Sequence, residues 1–229
     1  MANTPLEPDV PYPVGVEVAP VLSHRDRLTV AFRPILAIPH MLLVGGPIAL
    51  GASFGWEAGR HPGIHWAAGT GVLGAVAGVA AMIAWFAVLF TGVHPEGLWG
   101  LAAFYLRWRV RAVAYLTLLR DEYPPFGDGP YRATLTLTPP VHPRNRITVA
   151  FRIFLALPHI IAVAMLAMVW AVTTLVSWVS ILLTGSFPPQ LYHFGVGVLR
   201  WSTRLEAYML LLRDEYPPFS LESDTAEGP

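Results

Sequence analysis

Long apolar runs alternate with mixed segments along this chain. Residues 28–54 contain only Arg33 and His40 as ionisable groups, residues 69–92 contain none, and residues 147–185 contain only Arg152 and His159. A membrane-crossing helix takes about 20 apolar residues. Residues 28–54 and 69–92 therefore predict one span each, the first kinked at Pro34, Pro39 and Pro47, with a polar loop at 55–65 between them. As one helix, residues 147–185 would reach roughly 58 Å, about twice the hydrocarbon thickness. That length predicts a hairpin of two short helices turning near Met165 to Thr174.

The segments flanking these runs have other periods. Residues 14–20 and 133–139 alternate apolar and polar positions, which predicts two short strands that pair with each other or lie on the membrane surface. Residues 95–120 and 188–213 place apolar and aromatic side chains at helical spacing, interrupted by arginines. That pattern suits an amphipathic helix lying in the interface. As a span it would hold arginines near its centre, at about 2.5–3.5 kcal/mol each. The predicted fold is an all-α membrane protein with four transmembrane helices in two tandem helical hairpins. Each hairpin is preceded by a short strand and followed by a cytoplasmic-face amphipathic interfacial helix.

The plan is written twice. Residues 25–33 and 144–152 match at an offset of 119, and residues 85–126 and 178–219 match at an offset of 93. The 26-residue difference is extra length in the first hairpin. The expected organisation is a disordered tail at 1–11, a first repeat at 12–129, a second at 130–222 and a disordered tail at 223–229. With an even number of spans in each, the two units are expected to have the same orientation.

Composition strengthens the membrane reading. Of 229 residues 54% are hydrophobic and only 13% charged, against about 25% charged in ordinary soluble chains. Such a surface needs lipid to cover it. The 15 basic residues are all arginine and balance 15 acids, and there is no cysteine. Disulfides, thiolate metal sites and thiol nucleophiles are thereby excluded. All the arginines except Arg60 fall on one side of the predicted hairpins, so the positive-inside rule places both termini, the strands and the amphipathic helices in the cytoplasm.

The duplicated motifs are Arg-x-Arg-x-Thr-Val-x-Phe-Arg leading to Pro-His (25–40 and 144–159), Trp-x-x-x-Leu-hydrophobic-Thr-Gly (85–92 and 178–185), Leu-Arg-Trp-x-x-Arg-x-x-Ala-Tyr (106–115 and 199–208) and Tyr-Pro-Pro-Phe (123–126 and 216–219). In the third motif the first copy carries Arg109 and Val110 where the second has Ser202 and Thr203. This set resembles the bacterial membrane proteins grouped as domain of unknown function 4389. The resemblance implies a membrane location, here the bacterial inner membrane, and brings no activity, substrate or catalytic residue with it.

Two constellations are candidates for lipid or ligand binding. Arg33 and His40, like Arg152 and His159, are seven residues apart and share a helix face. Each pair either holds a lipid phosphate or a carboxylate from the Asp-Glu-Tyr corner, or anchors the helix with its arginine snorkelling to the interface. Arg107, Trp108 and Arg111 form a basic and aromatic patch, repeated as Arg200, Trp201 and Arg204, that suits anionic lipid, a partner protein or plain interfacial anchoring. Asp121-Glu122 and Asp214-Glu215 are expected to meet nearby arginines rather than act as acid and base. His61 and His65 mimic a helical metal pair, but Pro62-Gly63 between them argues against a helix. No catalytic, metal-binding, cofactor or nucleic-acid motif is present.

These readings point to a non-enzymatic membrane scaffold or accessory subunit. It would engage anionic phospholipids, a membrane-protein partner or a second copy of itself at the cytoplasmic face. The alternative is a small transporter or channel, with Arg33, His40, Arg152 and His159 lining a polar path between the repeats.

Overall fold

The computed structural model describes residues 12–46, 50–55, 63–68, 71–139 and 144–222. The predicted tails and most of the polar loop, with His61, lie outside the described residues. A strand β1 (Val14–Val18) precedes helices α1 (Arg27–Leu36) and α2 (Ile38–Val44), a hairpin of β2 (Leu50–Gly55) and β3 (Gly63–Ala68), and helices α3 (Gly71–Thr91) and α4 (Glu96–Leu116). The second copy runs β4 (Ala133–Leu137), α5 (Arg146–Ala150), α6 (Arg152–Thr184) and α7 (Pro189–Met209).

Each Arg-rich lead-in starts its helix through the residue between its first two arginines. Asp26 Oδ1 accepts from the amides of Leu28 (2.9 Å) and Thr29 (3.4 Å). Asn145 Oδ1 does the same for Ile147 (3.0 Å) and Thr148 (3.3 Å). These are side-chain N-caps for amides that lack partners at a helix start. The first copy then breaks at Ala37 with a bend of 41° between α1 and α2. Pro34 inside α1 has no amide hydrogen to donate, whereas the second copy carries Ile153 there and breaks earlier, at Phe151.

The structure corrects the span count. Among the described residues two helices, α3 and α6, are long and apolar enough to cross a membrane, or three segments if the bent pair α1–α2 is one span; four are not supported. The predicted turn near Met165 to Thr174 does not occur, because α6 is one helix of 33 residues. Beyond Pro158, in its second turn, no Gly or Pro interrupts it.

The two offsets explain the difference between copies. Val44 and Gly71 of the first copy correspond to the consecutive residues Val163 and Ala164 of the second. The extra 26 residues are therefore residues 45–70, which hold the β2–β3 hairpin and divide α2 from α3 where α6 runs through. The divided ends still abut. A Cβ at Gly71 (φ +68°) would lie 2.5 Å from the Leu43 carbonyl carbon, so only glycine fits.

The elements stack in three layers. Strands β1 and β4 form an antiparallel ribbon from Val14↔Leu137 to Val18↔Ala133, the paired one of the two arrangements the sequence allows. The ribbon packs with β4 on α4 and β1 on α7, which in turn pack on each other. On their far side α3 lies against α4, and α6 against α7. The second correction concerns α4 and α7. They are the middle layer, buried almost throughout from Ala102 to Tyr115 and from Gly195 to Tyr208, rather than helices at a lipid interface. Their apolar residues face partners on more than one side, so an amphipathic reading fails.

The copies are also interlocked. Trp85 Nε1 on α3 donates to the Val149 carbonyl of the second copy (2.9 Å), and Trp178 Nε1 on α6 donates to the Val30 carbonyl of the first (3.0 Å). Gly92 and Gly185 end these helices with positive φ. Their carbonyls accept from the amides of Arg144 and Arg25 of the other copy. The Trp-to-Thr-Gly motif is thus a latch between repeats.

Candidate functional site

The Leu-Leu-Arg-Asp-Glu-Tyr-Pro-Pro-Phe segments double back after α4 and α7. Leu118 and Leu211 adopt left-handed backbones (φ 68° and 61°), a costly conformation for leucine that its surroundings must hold in place. The buried arginines do so. In the first copy Arg25 Nη2 donates to the Leu118 carbonyl (2.6 Å) and to Asp121 Oδ1 (2.5 Å). Arg33 Nη1 donates to the Arg120 carbonyl (2.8 Å), and Arg33 Nη2 to Asp121 Oδ1 (2.7 Å). The Arg33 guanidinium sits 4.6 Å over the Tyr115 ring.

The second copy repeats the clamp. Arg144 Nη1 donates to the Leu211 carbonyl (2.7 Å). Arg152 donates to the carbonyls of Tyr208 (2.6 Å) and Arg213 (2.9 Å) and to Asp214 Oδ1 (2.7 Å), with its guanidinium 4.3 Å over the Tyr208 ring. One difference stands out. Arg25 approaches Asp121 at 2.5 Å, but its counterpart Arg144 approaches Asp214 only at 3.5 Å.

This geometry decides between the two readings of the Arg–His pairs. Arg33 and Arg152 are 1% and 2% exposed and do not snorkel; each holds a carboxylate of its own Asp-Glu-Tyr corner. His40 and His159 belong to the same clusters. Trp108 Nε1 donates to His40 Nδ1 and Trp201 Nε1 to His159 Nδ1, both at 3.0 Å. An indole N–H only donates, so each Nδ1 is an unprotonated acceptor. The histidine rings stack on Phe126 (centroids 4.5 Å apart) and Phe219 (3.8 Å), with Tyr123 and Tyr216 tilted beside them. The Tyr-Pro-Pro-Phe motif is the lid of this aromatic box. The structure thus brings Trp108 and Trp201 to the Arg–His pairs and separates them from the neighbouring arginines.

Those arginines hold the chain that follows each lid. Arg107 meets Asp128 at 3.4 Å and Arg111 Nη1 donates to the Gly127 carbonyl at 2.7 Å. Arg200 reaches the carbonyls of Leu221 (2.9 Å) and Val16 (3.4 Å), and Arg204 that of Glu222 (3.3 Å). At the corners, Arg120 pairs with Glu122 at 2.9 Å and Arg213 with Glu215. Burial raises the Glu215 pKa, but the hydrogen bond and charge of Arg213, together with backbone amide hydrogen bonds, outweigh that and hold it below the ordinary glutamate value.

A third group lies between the copies and escaped the sequence reading. Arg109 Nε donates to Glu206 Oε2 (2.7 Å), Tyr105 hydroxyl to Glu206 Oε1 (2.8 Å), and Arg109 Nη1 to the Val44 carbonyl (2.9 Å). Burial, with the charge of Glu206, pushes the Tyr105 pKa up, so its hydroxyl remains a donor. This triad has no repeat-related twin, because Ser202, Val198 and Val113 occupy the equivalent positions. It borders a cavity of about 810 Å³, lined also by Gly74 and Gly78 of α3, Ile160 and Ala164 of α6, and Arg152. The equivalent cavity at Arg33 measures about 410 Å³. The one sequence signal for the triad was the departure at Arg109 from the motif of the other copy.

A family profile described as a domain of unknown function (DUF4389) matches residues 64–127 and 146–220. The second match starts at the Arg-rich lead-in. The first starts only at Ile64, since residues 45–70 separate that lead-in from the rest of its copy. No curated protein and no solved structure matches the chain.

Proposed function

We propose, on the premise that this chain belongs to the DUF4389 family with two copies of its domain, that it is a non-enzymatic membrane scaffold or accessory subunit. It engages anionic lipid, or a partner protein, at the cytoplasmic face of a bacterial inner membrane, where both its termini lie. One observation carries the reading. Arg27 and Arg146 are exposed at equivalent positions, each next to a large exposed apolar side chain, Leu28 (68% exposed) and Ile147 (72%). A guanidinium beside apolar surface suits a lipid phosphate at the headgroup boundary. These two arginines replace Arg107, Arg111, Arg200 and Arg204 as the preferred contacts, because those four reach groups of the chain itself.

In nanodiscs of equal zwitterionic and anionic phospholipid, mass spectrometry of retained lipid should find anionic lipid enriched severalfold. Arg27→Gln with Arg146→Gln should abolish most of that enrichment, and unchanged retention would sink the lipid part of the proposal. The transporter reading has the large cavity between the copies in its favour. However, His40 and His159 do not line it. Flux of anions, protons or lipids in proteoliposomes above that of empty vesicles would make transport the better reading.

A further inference from the structure

We infer that the chain is monotopic: its apolar layer lies within one leaflet, with α3 and α6 along the membrane plane, and neither helix crosses the bilayer. The inference rests on the membrane reading above and adds a geometry to it.

Lipid-facing surface is confined to one layer. Among the described residues, β1, β4, α4 and α7 carry no exposed large hydrophobic side chain. Apart from Val93, Phe151 between α5 and α6, and the Tyr and Phe of the two lids, every such side chain lies on α1, α2, α3, α5 or α6. The opposite face is the outer side of the ribbon, where Glu17, Thr134 and Thr136 are exposed. The molecule is therefore polar on one broad face and apolar on the other, not apolar around a waist.

The ribbon excludes the upright arrangement. Tyr192, in the first turn of α7, donates to the Val18 carbonyl (2.9 Å). Arg200, mid-helix, reaches Val16, and Arg213, just beyond the end, reaches Thr138. The ribbon thus lies along α7, its Val18 end towards the start of the helix and its Thr138 end towards the other. Helix α6 runs alongside in the opposite sense, with Arg152 at its start bonded to Tyr208 near the end of α7. Were α6 upright in a bilayer, the ribbon would stand at hydrocarbon depth with an outward Glu17 and with outer-edge backbone groups, beyond the Val16 and Val18 carbonyls, that no strand among the described residues pairs. Unpaired strand edges are not tolerated there, since no water meets their amides and carbonyls.

Length gives an independent argument. Exposed apolar side chains continue along α6 from Ile153 (61%) to Leu183 (72%), a distance of about 45 Å at 1.5 Å per residue. The hydrocarbon core is about 30 Å thick, so an upright α6 would leave about a third of this surface in water. Finally, Arg25 binds Gly185 at the C-terminal end of α6, while Arg144, Arg146 and Arg152 stand at its N-terminal end. Crossing would put the two arginine clusters on opposite sides of the membrane. Lying flat leaves both at one surface, as the positive-inside rule favours.

The natural chain has no cysteine, so single-cysteine variants need no other change. Nitroxide labels at Ile153→Cys, Met168→Cys and Leu183→Cys in liposomes should report similar depths within one leaflet, from their accessibility to oxygen and to a water-soluble nickel chelate. A label at Thr134→Cys should be in water. A profile deepest at position 168, with 153 and 183 shallow, would overturn the inference. A membrane-impermeant maleimide should label Arg27→Cys and Arg146→Cys from the same side of sealed vesicles; labelling from opposite sides would overturn it equally. Water accessibility at 153, 168 and 183, or spin coupling to a second copy there, would remove the membrane reading as well. Loss of anionic-lipid enrichment alone would leave the depth result standing.

Discussion

The two copies of the domain differ least in the buried clamp at their Asp-Glu-Tyr corners and most around the cavity between them, where Arg109 and Glu206 have no counterpart. Arg25, Arg33, Asp121 and Leu118 in one copy are matched by Arg144, Arg152, Asp214 and Leu211 in the other, down to the left-handed leucine. By contrast Trp170 of α6 has Ala77 as its counterpart in α3, and Gly195 of α7 has Ala102 in α4. A buried ion must be matched atom for atom or it becomes a large penalty. Apolar volume can be moved from one helix to its neighbour, provided the total fills the space. The duplicated clamp is therefore the rigid part of the plan, and the cavity is the part free to diverge.

The strongest way to break the equivalence is through the clamp arginines, with thermal or denaturant unfolding in detergent as the measurement. Arg152→Gln strips Asp214 of its close partner and should cost about 3–5 kcal/mol, the range for breaking a buried pair. Arg33→Gln should cost less, because Arg25 stays 2.5 Å from Asp121 while Arg144 is 3.5 Å from Asp214. Equal losses would mean that the closer approach of Arg25 adds nothing over that of Arg144.

Packing should discriminate next. A Cβ at Gly195 would lie 2.8 Å from Trp170 Nε1 and 3.2 Å from Leu119 Cδ2, so Gly195→Ala should destabilise by about 1–3 kcal/mol. At the equivalent site Ala102→Gly should cost only about 0.5–1 kcal/mol, as glycine does inside a helix. Smaller again is the loss of one neutral hydrogen bond. Trp108→Phe and Trp201→Phe should each cost about 1 kcal/mol and leave the His40 and His159 rings, followed by NMR, free to change tautomer.

The corners offer the smallest and most pH-dependent effect. The Glu215 pKa lies below its ordinary value in the folded chain, so its contribution to stability is present above that ordinary value. It is lost as pH falls through the folded one. The melting temperatures of Glu215→Gln and the parent protein should accordingly differ by a degree or two at neutral pH and converge in acid.

Much of this was written in the chain and can be traced to particular residues. The period-two runs gave the β1–β4 ribbon, and Asp26 and Asn145 sit where N-caps belong. Arg33 and Arg152 do meet the carboxylates of the Asp-Glu-Tyr corners. The matched offsets located an insertion between Val44 and Gly71, although not its strands. Each of these depends on local backbone chemistry or on a motif repeated at fixed spacing, and neighbouring residues carry that information. What the sequence could not express is which side of a helix another helix covers. Helices α4 and α7 carry arginines on faces that look wet, and only the tertiary structure brings Asp128, Glu206 and the carbonyls of Val16, Val44, Gly127, Leu221 and Glu222 to meet them. Helix α6 is longer than a bilayer is thick, and its continuity became decisive only when the ribbon and the arginines of the other copy were found beside it. Composition and repetition determined that an apolar surface exists and is duplicated; the packing of three layers decided that it faces one way.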